Sequence, residues 1–199
     1  MIRVAGVVSL SLMTILPALA QAGVLIDYRN GEVLDFADRA QWTPIAERIG
    51  GEIEVLGEVR GAFTEAGADE VAYLVSDAAP VAAEPFPELN QRIVVFSGDE
   101  QVADWPIPEA SFSRPVTATD LDGDGISEVI VEGSFYNMGT LAIGVSAIKV
   151  GEVPEIIQTL TDVYVDSCEA GVGEKAITAG AVSVSDGQLT VESETLDCV

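Results

Sequence analysis

The stretch DLDGDGISE, residues 120 to 128, sets carboxylates at Asp120, Asp122, Asp124 and Glu128, with glycines at 123 and 125. Counting from Asp120, side-chain oxygens fall at positions one, three, five and nine, a glycine at six and the Ile126 carbonyl at seven. Calcium takes about six to eight oxygens at once, and a glycine at six permits the sharp turn that lets alternate residues face one centre. The spacing meets that need. An EF-hand would also require a bidentate Glu at position twelve, where this chain has Val131. The flanks RPVTAT and EVIVEGSF look like strands, not helices. The loop is therefore expected in a β-hairpin over 118 to 133, with Glu128 or a water supplying what position twelve would have given. The alternative is an Asp-Gly-rich turn that holds no metal.

Other chemistry finds little to work with. The chain has no histidine, which removes Ser-His-Asp and Cys-His nucleophile systems and the usual zinc and copper ligand sets. Its 33 Asp and Glu will place some carboxylates at glycosidase spacing by chance, and nothing singles out one pair. No glycine-rich phosphate loop precedes a helix. The expectation is a non-catalytic protein. A partner contact is placed at SFYNMGT, where Phe135, Tyr136, Asn137 and Met138 follow the strand beside the metal loop. Aromatics and Met are enriched in interface cores, and a calcium-rigidified hairpin would present them at less ordering cost. The alternative is a turn whose rings simply pack.

The elements that must position these residues begin with compartment. Met1-Ile2-Arg3, an uncharged apolar stretch to Ala20 and a closing Ala18-Leu19-Ala20 predict a signal peptide over 1 to 20, hence a periplasmic or secreted protein starting near Gln21 with no span left in a membrane. In an oxidising compartment the even pair Cys168 and Cys198 predicts a disulfide. A net charge of −24 makes nucleic acid and anionic membranes poor partners.

Residues 21 to 199 read as a single mostly β domain. Apolar residues alternate with period two between turn dipeptides. Hairpins are expected around Asn30-Gly31 (24 to 36), Gly98 (92 to 107), Gly151 (141 to 160) and Asp186-Gly187 (181 to 192). One short helix is expected near 43 to 50, capped by Thr43, opened by Pro44 and stopped by Gly50. AAPVAAEPFPELN (78 to 90) reads as a surface loop, with a proline-rich recognition segment as the alternative.

With its loop and following strands, ATDLDGDGISEVIVEGSFYNMGTLAIGVSAIKV (118 to 150) resembles the FG-GAP and VCBS-type repeats, the calcium-loop blades of integrin α-subunit propellers and of many exported bacterial proteins. Asp120, Asp122, Asp124, Ile126 and Glu128 are the calcium ligands that this resemblance implies; Glu128 departs from the family's usual Asp. A degenerate copy over 61 to 75 sets Gly67, Glu70 and Val71 against Gly125, Glu128 and Val129, with Ala62, Thr64 and Ala66 where the aspartates would stand. That copy should bind no calcium. Three blade-length units are too few to close a propeller, so antiparallel meanders resembling blades are expected, with the N-terminal hairpin and short helix covering an edge. Two functional readings follow. The first is an exported calcium-binding module that binds another macromolecule, protein or glycan, around a structural ion. The second is a carbohydrate-active protein, either a glycan-binding module or a carboxylate-dependent hydrolase.

Overall fold

The computed structural model describes residues 23–31, 39–77, 90–108, 110–173 and 175–198. The expected signal peptide, the second arm of the hairpin after Asn30-Gly31 and all but the last residue of the proline-bearing stretch 78 to 90 lie outside them.

The fold is mostly β, with antiparallel strand pairing. In chain order the strands are β1 (Val24–Asp27), β2 (Ile53–Gly61), β3 (Glu70–Asp77), β4 (Gln91–Ser97), β5 (Glu100–Ile107), β6 (Arg114–Thr119), β7 (Glu128–Asn137), β8 (Thr140–Lys149), β9 (Glu155–Asp166), β10 (Ile177–Ser185) and β11 (Gln188–Leu196). Strands β2 to β5 form a four-stranded meander, the shape expected of a blade. The other sheet has seven strands, ordered β1-β10-β9-β8-β7-β6 with β11 on the free side of β10. Its terminal strands β1 and β6 touch, so this sheet curls most of the way into a barrel.

Turn chemistry explains the hairpins. Asp186 and Gly187 have φ of 52° and 75°, Met138 and Gly139 50° and 86°, the double positive φ of a two-residue hairpin loop. Gly98, at φ 55°, opens the β4–β5 turn. Tyr28–Asn30 forms a 3-10 turn closed by Gly31, and β1 pairs with β10.

Burial orders the molecule into layers around β7. Ile130, with Ile143, Val145, Val163 and Val182, fills the interior of the curled sheet. Val129 and Val131, on the other face of the same strand, pack with Ile148 against Leu74, Ile93, Val95 and Phe63 of the four-stranded side. Since Glu128 through Val131 and on to Glu132 are all buried, the run EVIVE serves two cores at once. The outer face of the four-stranded sheet, at Val55, Val75, Val94 and Phe96, is covered by Trp42, Ile45, Ala46 and Ile49. These last residues carry the helix α1 (Thr43–Ile49). The helix forms where expected and Gly50 ends it, but two details differ. A 3-10 turn over Arg39–Trp42 runs directly into α1, so Trp42 holds the cap position, without a side-chain bond, and Thr43 lies in the first turn. The helix also covers a sheet face instead of an edge, because its apolar stripe answers the alternate residues of β2, β3 and β4.

Candidate metal centre

The loop closes between Thr119 and Glu128, which pair across β6 and β7. Within it each aspartate turns back onto the backbone ahead. Asp120 Oδ1 accepts from Gly123 N at 2.7 Å and its Oδ2 from Gly125 N at 3.0 Å. Asp122 Oδ1 accepts from Asp124 N at 3.1 Å, and Asp124 Oδ1 from Ile126 N at 2.8 Å. Short acidic side chains favour such local bonds, and Gly125, at φ 88°, supplies the left-handed corner. The result brings Asp120, Asp122 and Asp124 together, one carboxylate oxygen from each lying within 4.8 Å of the others. Two oxygens on opposite sides of one calcium ion stand about 5 Å apart. The three carboxylates therefore fit one ion.

Glu128 stands behind this group, not in it. It is 1% exposed, and its Oε2 accepts from Leu121 N at 2.7 Å, inside the loop. Its Oε1 is buried with no hydrogen-bond partner. Burial holds the Glu128 carboxyl above the usual range, the Asp122 charge adding to that effect while the Leu121 amide opposes it. Three converging carboxylates are the donor chemistry a hard cation needs, and the loop that carries them also holds a buried carboxyl oxygen left without a partner. Ile126 enters the loop through its amide, bonded to Asp124.

Lys149 is the residue that sequence reasoning missed. Its Nζ donates to Asp122 Oδ2 and, at 3.0 Å, to Asp124 Oδ2. The two carboxylates raise the lysine's affinity for its proton. The Ile126 amide first, then Lys149, hold Asp124 below the usual carboxylate range. The tight turn at Met138-Gly139 could have located it. That turn sets the β7–β8 register, Val129 opposite Ile148, and so carries the end of β8 back to the loop.

The 61 to 75 stretch supplies a companion loop. Gly61 pairs with Glu70 across β2 and β3, and Glu70 Oε2 accepts from Phe63 N at 2.7 Å and Thr64 N at 2.9 Å, its Oε1 from Thr64 Oγ1. Each loop thus ends on a buried Glu that takes an amide seven residues back. Ala62, Thr64 and Ala66 bring no carboxylate to the places that the aspartates hold in the other loop. The two loops also touch. Ser127 N donates to Ala62 O at 2.6 Å, Ala62 N to Ser127 Oγ at 3.3 Å, and a Cβ on Gly125 would come within 2.8 Å of Ala66 Cβ.

Phe135, Tyr136, Asn137 and Met138 lie at the β7–β8 tip, all exposed, Met138 by 82%. The 120 to 128 loop adjoins the other end of β7, about 30 Å away at roughly 3.3 Å per residue. A rigid loop would therefore not order the tip directly, contrary to the expectation. The tip instead meets the loop over 168 to 173, Gly139 lying against the Glu169 backbone. Between them is an open groove of about 760 Å³ lined by the tip residues with Ala170 and Val172. Cys168 and Cys198 are bonded, fastening that loop to the end of β11. Trp42 packs edge-on against Tyr73, and Trp105 lies against the core between the sheets, so neither is laid out as a platform for sugar stacking. Farther along β7, buried Glu132 accepts from Tyr28 Oη at 2.6 Å and Arg114 Nε at 2.7 Å, tying the turn after β1 and strand β6 to β7. Among the described residues no helix is long and apolar enough to cross a membrane. Comparison with family models, with curated proteins and with solved structures finds no match, so the site rests on this chain's own residues.

Proposed function

We propose that the chain is an exported β module whose 120 to 128 loop takes a calcium ion in a structural role, a calcium-loop protein of the FG-GAP and VCBS kind. The observation that carries this reading is the convergence of Asp120, Asp122 and Asp124, in a loop whose closing Glu128 keeps Oε1 buried and unpaired. All these donors are carboxylate oxygens, the set that suits calcium over the softer transition metals. Asp120, Asp122 and Asp124 would hold the ion, with Glu128 bonded to the loop at the Leu121 amide. The ion would supply positive charge that cancels the repulsion among the aspartates. The bonded Cys168–Cys198 pair agrees with a periplasmic or secreted location. The exposed tip at Phe135, Tyr136 and Met138 is the surface offered to a macromolecular partner. Carbohydrate binding ranks lower, because both Trp rings are engaged in packing.

The test is the thermal midpoint in EDTA and across a calcium titration, with magnesium as control and Asp124→Ala beside the wild type. Calcium at a hundred times its dissociation constant should add about 2.7 kcal/mol, a shift of a few degrees that Asp124→Ala loses. An equal shift with magnesium and in the variant would reduce the effect to charge screening and end this reading.

A further inference from the structure

We infer that Lys149 is a tethered competitor for the cation site: its ammonium holds Asp122 and Asp124 in the metal-free loop, must leave when a divalent cation enters, and so sets the loop's affinity and its preference for divalent over monovalent ions. This rests on reading 120 to 128 as a cation site.

The geometry is specific. The β7–β8 register brings Lys149, the last residue of β8, to the loop end of the hairpin, where Nζ bonds both Asp122 Oδ2 and Asp124 Oδ2. A calcium ion held by those same oxygens would stand about 2.3 to 2.6 Å from each. The ammonium, within hydrogen-bond reach of both, would then lie within roughly 5 Å of the ion. Like charges that close repel strongly, so the two cations exclude one another. Departure is easy, because the Lys149 side chain is 39% exposed and swings on a flexible four-carbon stem.

The exchange also discriminates among ions. A tethered ammonium competes at the high effective concentration of an intramolecular partner. A monovalent ion replacing it gains no charge, whereas a divalent ion gains one. Sodium and potassium should therefore leave the ammonium in place. A second observation concerns the same loop: Glu128, nine-tenths buried and more, bonds the Leu121 amide between Asp120 and Asp122 through Oε2 and leaves Oε1 without a partner. Lys149 neutralises the two outer aspartates, and nothing hydrogen-bonds this inner oxygen.

The experiment is calorimetric titration of calcium chloride into the EDTA-treated, desalted full chain, for wild type, Lys149→Met, Lys149→Gln and Asp124→Ala, in sodium chloride and again in choline chloride of equal strength. Melting curves in EDTA check that each variant folds. Lys149→Met and Lys149→Gln should bind calcium about three- to fivefold tighter, as loss of a competing exposed ion pair predicts. They should also melt below wild type in EDTA and gain more from calcium, a crossing that a purely structural lysine would not produce. Wild-type affinity should match in sodium and choline. A wild type that binds while both lysine variants stay within twofold of it overturns the competitor and leaves the calcium reading standing. No heat from any variant overturns both, and a silent wild type with binding lysine variants supports both.

Discussion

At the scale of single residues, the two buried glutamates that close the twin loops share one task and differ in how fully they are satisfied. Glu70 collects Phe63 N, Thr64 N and Thr64 Oγ1, while Glu128 takes only Leu121 N. Burial pushes the Glu70 carboxyl up, but these three donors outweigh it and hold it below the usual carboxylate range. A lowered folded value means stabilisation that is present in full above the unfolded value and fades as pH falls through the folded one. Glu70→Gln, which turns charge-assisted bonds into neutral ones, should cost about 1–2 kcal/mol at neutral pH. Urea denaturation of both proteins over a pH series should show that gap narrowing as the solution is acidified through and below the carboxylate range. A gap independent of pH would mean that Glu70 titrates alike in the folded and unfolded chain, and a gap that widens on acidification would assign the bonds to a protonated Glu70. Both glutamates were visible in the sequence as loop-final acids. Which one kept an oxygen free was not, because that depends on the amide each carboxylate meets inside its loop.

At the scale of elements, turns and loops carry the strain. Gly125 sits at φ 88° with its missing Cβ facing Ala66 of the companion loop. Gly125→Ala should therefore cost about 1–3 kcal/mol through backbone strain and the clash together. Adding Ala66→Gly removes the clash and leaves the strain, so the double variant should melt between the single variant and wild type. Simple additivity of the two changes would deny the contact between the loops. Met138 presents the opposite case, a long side chain held at φ 50° and 82% exposed at a hairpin tip. Met138→Asn relaxes that position and should raise stability by about 0.5–1 kcal/mol, read as a higher midpoint. A stabilised variant would mean that the tip keeps its thioether at the expense of stability, as a contact surface would. The turns at Gly98 and Asp186-Gly187 were legible because positive φ demands particular residues, whereas Met138, a residue that rarely takes positive φ, hid the β7–β8 turn. The face that α1 covers was not, since a short apolar stripe fits an edge or a face equally well until the sheet is built.

At the scale of the whole molecule, β7 joins two cores, with Ile130 on the barrel side and Val129 and Val131 on the side of the four-stranded sheet. Shared burial of this kind couples the sheets into one cooperative unit. Trp42 and Trp105 report on the four-stranded side and the Tyr28–Tyr164 ring pair on the barrel. Tryptophan fluorescence and near-ultraviolet tyrosine dichroism should therefore give coincident unfolding transitions. Separate midpoints would show that the sheets melt independently. The Cys168–Cys198 bond closes a separation of 30 residues, for which the chain-entropy relation gives about 3.6 kcal/mol. Replacing both cysteines with serine should lower denaturant stability by about that much. A much smaller loss would mean that the C-terminal strand holds its place without the link.

The sequence by itself determined the β class, the turns at Gly98, Gly151 and Asp186-Gly187, the cysteine pair as a disulfide and the loop spacing that suits a hard cation. Each of these is written in neighbouring residues: period-two alternation, glycine or aspartate at positive φ, carboxylates at every second position. Only the tertiary structure decided that the larger sheet curls until β1 meets β6, that β7 is buried on both faces, that Lys149 reaches Asp122 and Asp124, and that the two loops touch at Gly125 and Ala66. These contacts join residues far apart in the chain. Their geometry follows from strand register, sheet curvature and layer packing, which no local pattern encodes.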